Sequence, residues 1–533
     1  MKKQLHETNY TAYQTHMLLD FTFSFEKDVA HDDVCRTVIE IAEEVNIGRY
    51  VDFTNRNSYG YDGVMMFKLV LLAMADKGVA SVRNLESLCR TDVRYMFISQ
   101  NQRPSFMAFQ RFIHDDLRMS IDDIFYEINE YIAKKVPINV DVLCIDGTKY
   151  EANANKNTFV WRANTVRNRI KRWKQTILCI QKINRFFKRQ NIDVYYSILK
   201  EPSIEYLLEI ADRIEKYMKH EKIAFVHGKG KRKSEIQKIY DELKENAIKL
   251  WEYTIHLDIL GERNSFSKTD PDATFMHMKY DYYNHTNVFK PGYNIQVGVS
   301  DGFIRNIYIS SDGNDIKTYI PFMEKYKAAY GELPKKTPAD AGYGSYDNYS
   351  YCKENGIELY MKYSGYYKEK EKTTEKNKYH KNHMKRTEDG GFICPAGYEF
   401  ELIKITEDAR SEYERYNALF KNNHCSTCPH KSQCTKSKEG RTISHCFQME
   451  EYQCEVKRNV TSEEGIKLMF QRSNESEGTF GDWKANQKYD RLRRRGISGV
   501  KVEVTLVAIG HNIRKYHRYK YQNKNTDNQV VLN

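Results

Sequence analysis

The stretch YNIQVGVSDGFIRNIYIS, residues 293–310, admits few local folds. Tyr293, Ile295, Val297 and Val299 alternate with polar residues or glycine, Asp301-Gly302 supplies a tight turn, and Phe303 to Ile309 runs back, so the segment reads as a β-hairpin. Strand-length apolar runs stand around it: VDVLCI before Asp146, a short run before Asp340, and GIELYMKY at 356–363. A helix with Ile316, Ile320, Met323 and Tyr326 along one side is expected after the hairpin, and another starting near Ser345. The order strand, hairpin, helix, strand, helix, strand predicts a mixed α/β core spread over 138–161, 266–363 and 461–520.

Two long segments interrupt that order. Residues 162–265 show helical periodicity, with Ser234-x-x-Gln237 as a cap for the last helix, and predict a helical insertion. Residues 364–460 hold a lysine-rich stretch and a cysteine cluster, and predict a basic loop with a small zinc-ribbon-like insertion. Ahead of the core, 20–135 reads as an all-α domain, with Ser81 and Ser105 as helix starts; 521–533 reads as a tail.

At 533 residues the chain exceeds the ~250–300 at which one core stops growing, so several domains or large insertions are expected. Its net charge of +12, with bursts such as GKGKRKSE and DRLRRRG, suits a polyanion, since each phosphate neutralised releases counterions. No run approaches the ~18 apolar residues of a membrane helix, and the start lacks a signal-peptide stretch. A cytoplasmic, nucleoid-associated protein with no membrane partner is the expectation.

Three acids stand out within this frame. Asp146 and Asp340 each end an apolar run, and Glu477 lies in a helical stretch, RSNESEGTFGDWK. If the first and fourth strands are neighbours, both aspartates emerge at one edge and a helix laid over it can present Glu477. Taken singly, each aspartate also reads as a turn former and Glu477 as a solvated helix residue. Together, three carboxylates would repel unless cations neutralised them, and hard oxygen donors suit two Mg²⁺ or Mn²⁺ ions working on a phosphodiester.

Eleven cysteines in a reducing compartment are read by spacing. Cys35, Cys89, Cys144, Cys179 and Cys352 read as buried apolar residues. Cys394, Cys425, Cys428 and Cys434, in CPAGYEF and HCSTCPHKSQC, can give a structural tetrahedral zinc site, with His424, His430, His445 and Cys446 as competing ligands.

These motifs carry a resemblance. The segments GVASVRNLESLCRTDVRYMF, RPSFMAFQRF, IDGTKYEANANKNTFVWR, DPDATFMHMK, PGYNIQVGVS, ADAGYGS, the CP and C-x-x-CP knuckles and EGTFGDWKANQKYDRLRRRG resemble a DDE transposase of bacterial insertion sequences, on the branch with an N-terminal helical domain and a cysteine-bearing insert. The resemblance implies an RNase H-like core with the triad on Asp146, Asp340 and Glu477. It implies an enzyme that cuts DNA at terminal inverted repeats and transfers the 3′ ends, on double-stranded DNA and as a homodimer. Lys484, seven positions after the glutamate, is the expected DNA contact near the cut; Arg472, five before it, sits at a less regular offset.

Arg491, Arg493, Arg494 and Arg495 are expected on phosphates, Lys149 near the first aspartate, and Trp161 stacked on a displaced base. One departure is Ser476-Glu477-Gly478, where the family often has a hydrophobic residue and proline around the glutamate. Glu475 is therefore a rival for the catalytic position. A stand-alone nuclease and a domesticated, catalytically silent DNA-binding copy are the alternative functions.

Overall fold

The computed structural model describes residues 24–50, 60–228, 232–278, 288–366 and 379–530; parts of the Gly/Lys turn at 228–233 and of the lysine-rich stretch at 366–386 lie outside them. The hairpin forms as its alternation requires. Phe289–Ser300 and Phe303–Ser310 pair antiparallel from Asn294 opposite Ser310 to Ser300 opposite Phe303. Asp301 and Gly302 take φ of 48° and 74°, the two left-handed residues that match a tight turn to the strand twist.

The free edge of Phe289–Ser300 takes Cys144–Glu151, antiparallel, with Asp146 opposite Val297. Here the expectation needs correcting, because the apolar run stops at Asp146 while the strand continues to Glu151. The pairing with Val297 through Gly292 holds the polar half IDGTKYE extended, since ladder hydrogen bonds are made whatever the side chains. On its other side the same strand meets a parallel partner, with Leu143 N donating to Lys336 O and Ile145 N to Pro338 O, both at 2.9 Å. Ala339–Gly344 then pairs parallel with Met361–Tyr363. Asp340 is thus the second residue of its strand rather than its end.

The sheet is antiparallel on one half and parallel on the other, and it is sandwiched by helices. Tyr293, Ile295, Val297 and Val299 point into one core with residues of helices Val34–Glu44, Gly63–Lys77 and Ile121–Lys135 and of the long helix Gly496–Val530. Each such buried aliphatic chain contributes ~1.5–3 kcal/mol by leaving water. Leu143 and Ile145 join a second core with Tyr319, Phe322, Tyr349, Leu359 and Val456. The stretch 521–530, expected as tail, continues the last helix.

The helix after the hairpin is Tyr319–Tyr330, preceded by a 3₁₀ turn, Asp315–Thr318. Its buried face is Tyr319, Phe322, Met323 and Tyr326, and Ile316 is exposed, so the face differs from the one periodicity suggested because Ile316 lies in the tighter turn. Ser81, Ser105, Ser234 and Ser345 each cap a helix by accepting from the N–H three residues on. Gln237 does not close a reciprocal box; its amide bonds both backbone groups of Val226 instead.

Residues 162–260 form three helices, Arg162–Arg189, Ile204–His220 and Glu235–Leu260, around a core of their own. Residues 401–445 carry a three-stranded antiparallel sheet, Glu401–Glu407, Tyr416–Lys421 and Thr442–His445. Among the described residues no helix is long and apolar enough to cross a membrane.

Candidate active site

Asp146 and Asp340 lie on neighbouring strands, and helix Glu463–Arg472 with the turns after it crosses the same edge. Ser476 Oγ donates to Cys144 O at 3.3 Å and fixes this crossing two residues from Asp146. Residues Ser473–Glu477 are π-helical, one residue wider per turn than an α-helix. That widening explains an offset that looked irregular in the sequence. Five residues become one turn, so Arg472 and Glu477 share a face, with Arg472 Nη2 3.4 Å from Glu477 Oε1 and Nη1 3.8 Å from Asp146 Oδ1.

Electrostatics tie the acids together. Burial pushes the Asp146 carboxyl up to about 6, Asp340 and Glu477 add repulsion, and Arg472 and a hydrogen bond from Gly147 N work the other way. Asp340 is also raised, first by burial, then by Asp315 and Glu477, against a 2.7 Å bond from Gly342 N and the Arg472 charge. Glu477 is the most open of the three, with 59% of its side chain exposed against 16% for Asp146. The rival Glu475 points elsewhere: Gln471 donates to it at 2.9 Å, and its charge neighbours are Asp301 and Lys515.

Lys484 reaches the same face of the first strand. Its Nζ donates to Thr148 Oγ1 at 2.5 Å and lies 4.6 Å from the Tyr150 ring, and Thr148 and Tyr150 alternate onto the face of Asp146. The arginine run is less uniform than expected. Arg493 is exposed; Arg491 is exposed but pairs with Glu151 at 3.4 Å, and Arg495 donates to Asn153 O at 2.7 Å. Arg494 is half-buried, its proton affinity lowered by burial, so it packs inward where a solvated phosphate contact was expected. Buried Glu503 accepts from the backbone N–H groups of Arg493 and Arg494 and sets this loop.

Lys149 is half-buried and pairs opposite Asn294, on the other face of the strand from Asp146. Trp161 ends strand Phe159–Trp161 and packs edge-on to Phe275 at 4.9 Å while 37% exposed.

The cysteine cluster forms a second centre. Cys394, Cys425, Cys428 and Cys434 line one cavity of about 20 Å³ together with His424, His430 and Arg441. That is room for about one water-sized sphere. All four are free thiols, and Arg441 donates from Nη1 to Cys434 Sγ at 3.1 Å. His445 is engaged with Glu450 at 3.0 Å and Cys446 packs in the second core, which removes both as competitors for this cavity. The five scattered cysteines are buried, as their isolation suggested. Among the described residues no three or more His, Cys, Asp or Glu side chains close around a point that could hold a metal ion.

Sequence reading missed Asp315, which lies beside Asp340. It sits in SDGNDIKTY with no apolar run before it, and so looks like a helix-start residue. Only its place after the hairpin, at the mouth of the helix that crosses back over the sheet, could have signalled it.

A mixed sheet with carboxylates gathered at one edge and basic side chains beside them defines a class of site suited to metal-assisted work on phosphodiesters. Residues 393–517 match the model of a family described as a transposase DDE domain, which supports a DDE transposase acting on DNA. The matched segment includes Glu477, Lys484 and the cysteines and stops short of both aspartate strands. A search of curated proteins gives no match.

Proposed function

We propose that this chain is a transposase that cuts DNA at the terminal inverted repeats of an insertion sequence and joins the 3′ ends to target DNA, on an RNase H-like core. The observation that carries this reading is the meeting of Asp146, Asp340 and Glu477, from three distant segments, at one sheet edge with Arg472 between them. Divalent ions fit the donors: all are carboxylate oxygens, and the raised Asp146 and Asp340 carboxyls are those of acids short of positive charge. Bound there, two Mg²⁺ or Mn²⁺ ions would activate the attacking water or 3′-hydroxyl and stabilise the leaving oxygen.

The chain's own groups do the rest. Arg472 neutralises the cluster in the absence of metal and is within reach of a phosphate oxygen when the acids are otherwise engaged. Lys484 holds the DNA backbone close to the cut, and Arg491, Arg493 and Arg495 supply phosphate affinity rather than sequence reading. Four thiolates around an ion-sized cavity support a structural zinc, with no open position for substrate. The reading takes the helices of 20–135 as the repeat-binding part, 162–265 as an arm along the DNA, and a dimer to hold paired ends.

The experiment incubates labelled element ends with the full chain and Mg²⁺. Nicked ends and joined products are expected, both absent for Asp146→Asn, which still binds DNA. Cleavage without any joined product would favour a stand-alone nuclease, and undiminished cleavage by Asp146→Asn overturns the triad.

A further inference from the structure

Asp315 is held in an orientation that leaves one of its oxygens unused. Oδ1 accepts from Asn294 Nδ2 at 2.7 Å and from Gln296 Nε2 at 3.0 Å, two amides that are 1% and 0% exposed. Gln296 is fixed in turn by the Tyr343 hydroxyl, which donates to its oxygen. Oδ2 lies on the side of Asp340. A Cβ built on Gly342 would stand 3.4 Å from Asp315 Oδ2 and 2.9 Å from Asp340 Oδ1, so the two oxygens border one small gap that only a glycine leaves open.

Charge in that gap is uncompensated. Among the described residues none forms an ion pair with Asp315 or Asp340, and the repulsion is felt at Asp340. A second, independent sign is the Asn294 amide itself: its Oδ1 is buried with no hydrogen-bond partner, an oxygen whose lone pairs await a donor or a cation. The acids flank Asp340 from two sides. Glu477 comes over the face that carries Asp146 and Val297, and Asp315 over the face that carries Gln296, as the alternation along Phe289–Ser300 dictates.

We infer that Asp315 is a fourth carboxylate ligand of the site, sharing one divalent cation with Asp340 and held for that purpose by Asn294 and Gln296. The inference rests on the reading that Asp146, Asp340 and Glu477 bind divalent ions. Two carboxylates facing across a gap need a proton or a cation between them, and an all-oxygen setting selects a hard cation. The amide pair saturates Oδ1 and leaves Oδ2 for the ion, the arrangement by which surrounding hydrogen bonds orient metal ligands.

The test is Mn²⁺ titration of the full chain followed by electron paramagnetic resonance, which counts bound ions without recourse to activity. Asp315→Asn keeps an acceptor for both amides, and its melting temperature in EDTA checks folding. Gly342→Ala is the second variant, filling the gap while keeping the acid. Both are expected to weaken one Mn²⁺ site by roughly tenfold or more, as Asp340→Asn does, and raised Mn²⁺ is expected to restore part of the cleavage by Asp315→Asn. If Asp340→Asn weakens binding while Asp315→Asn binds Mn²⁺ like the unaltered chain, Asp315 is no ligand and the triad stands. If the unaltered chain binds no Mn²⁺, the triad reading falls and this inference with it.

Discussion

Replacing Asp146 by asparagine should make the metal-free protein more stable while ending its activity. Asp146 titrates near 6 in the folded chain against 3.8 for a free aspartate. Its folded value is raised, so the sign is the reverse of a salt-bridged acid. Below about 4 both states hold the proton and nothing is lost; between there and about 6 the folded state keeps a proton that the unfolded state gives up. Above about 6 the fold must carry a buried, repelled carboxylate, and the difference amounts to about 3 kcal/mol at most.

Since 16% of the side chain remains exposed, a gain of about 1–3 kcal/mol is the expectation at pH 7.5. Asparagine keeps the acceptor that Gly147 N uses, so little else changes. Denaturant melts in EDTA at pH 7.5 and pH 4.5 measure it: the gap should be open at the first pH and nearly closed at the second. Metal should close it from the other side, because ions bound at a hundred times their Kd stabilise the unaltered chain by ~2.7 kcal/mol and the variant much less. A variant no more stable than its parent at pH 7.5, or a gap that ignores pH, refutes the reasoning.

Glu477→Gln should abolish end cleavage while Glu475→Gln keeps most of it, measured on the same labelled substrate; the reverse result would exchange their roles. Arg472→Gln removes the charge that holds the Asp146 carboxyl down, so the pH at which Mn²⁺ binding is half-maximal should move upward, and an unmoved profile argues that the ion pair is incidental. Protein purified without chelator should carry about one zinc per chain by mass spectrometry of the metal, lost in Cys425→Ser; a zinc-free preparation that melts at the same temperature with and without added zinc removes the site.

The hairpin, the cysteine cavity and the three acids were legible because each rests on short-range chemistry. A two-residue period, a C-x-x-C spacing and an acid after an apolar run survive any change of context. What was hidden depends on pairing across the chain. Strand Cys144–Glu151 runs on through Asp146 only because Phe289–Ser300 lies beside it, and nothing in IDGTKYE announces that neighbour. The π-helical turn was hidden for the same reason: it is the sheet edge, through Ser476 and Cys144 O, that holds Glu477 where a regular helix would have turned it away. Arg494 and Asp315 were misread or missed because burial and proximity, not residue type, decide what they do.

The last long helix has a consequence for how the protein comes off the ribosome. Val500, Val504, Val507 and Ile513 share their core with Phe67, Val70 and Leu71, and the backbone at Gly510 comes so near Met74 O that a Cβ would stand 2.6 Å from it. Asn512 stitches the same seam, bonding Asn129 Oδ1 at 2.7 Å and taking the N–H of Ile304 at 2.8 Å. The first third of the nascent chain therefore waits, its apolar faces uncovered, until residues near 516 have been made. Glu477 is seated by that same closure, so an unfinished chain holds the two aspartates without the glutamate.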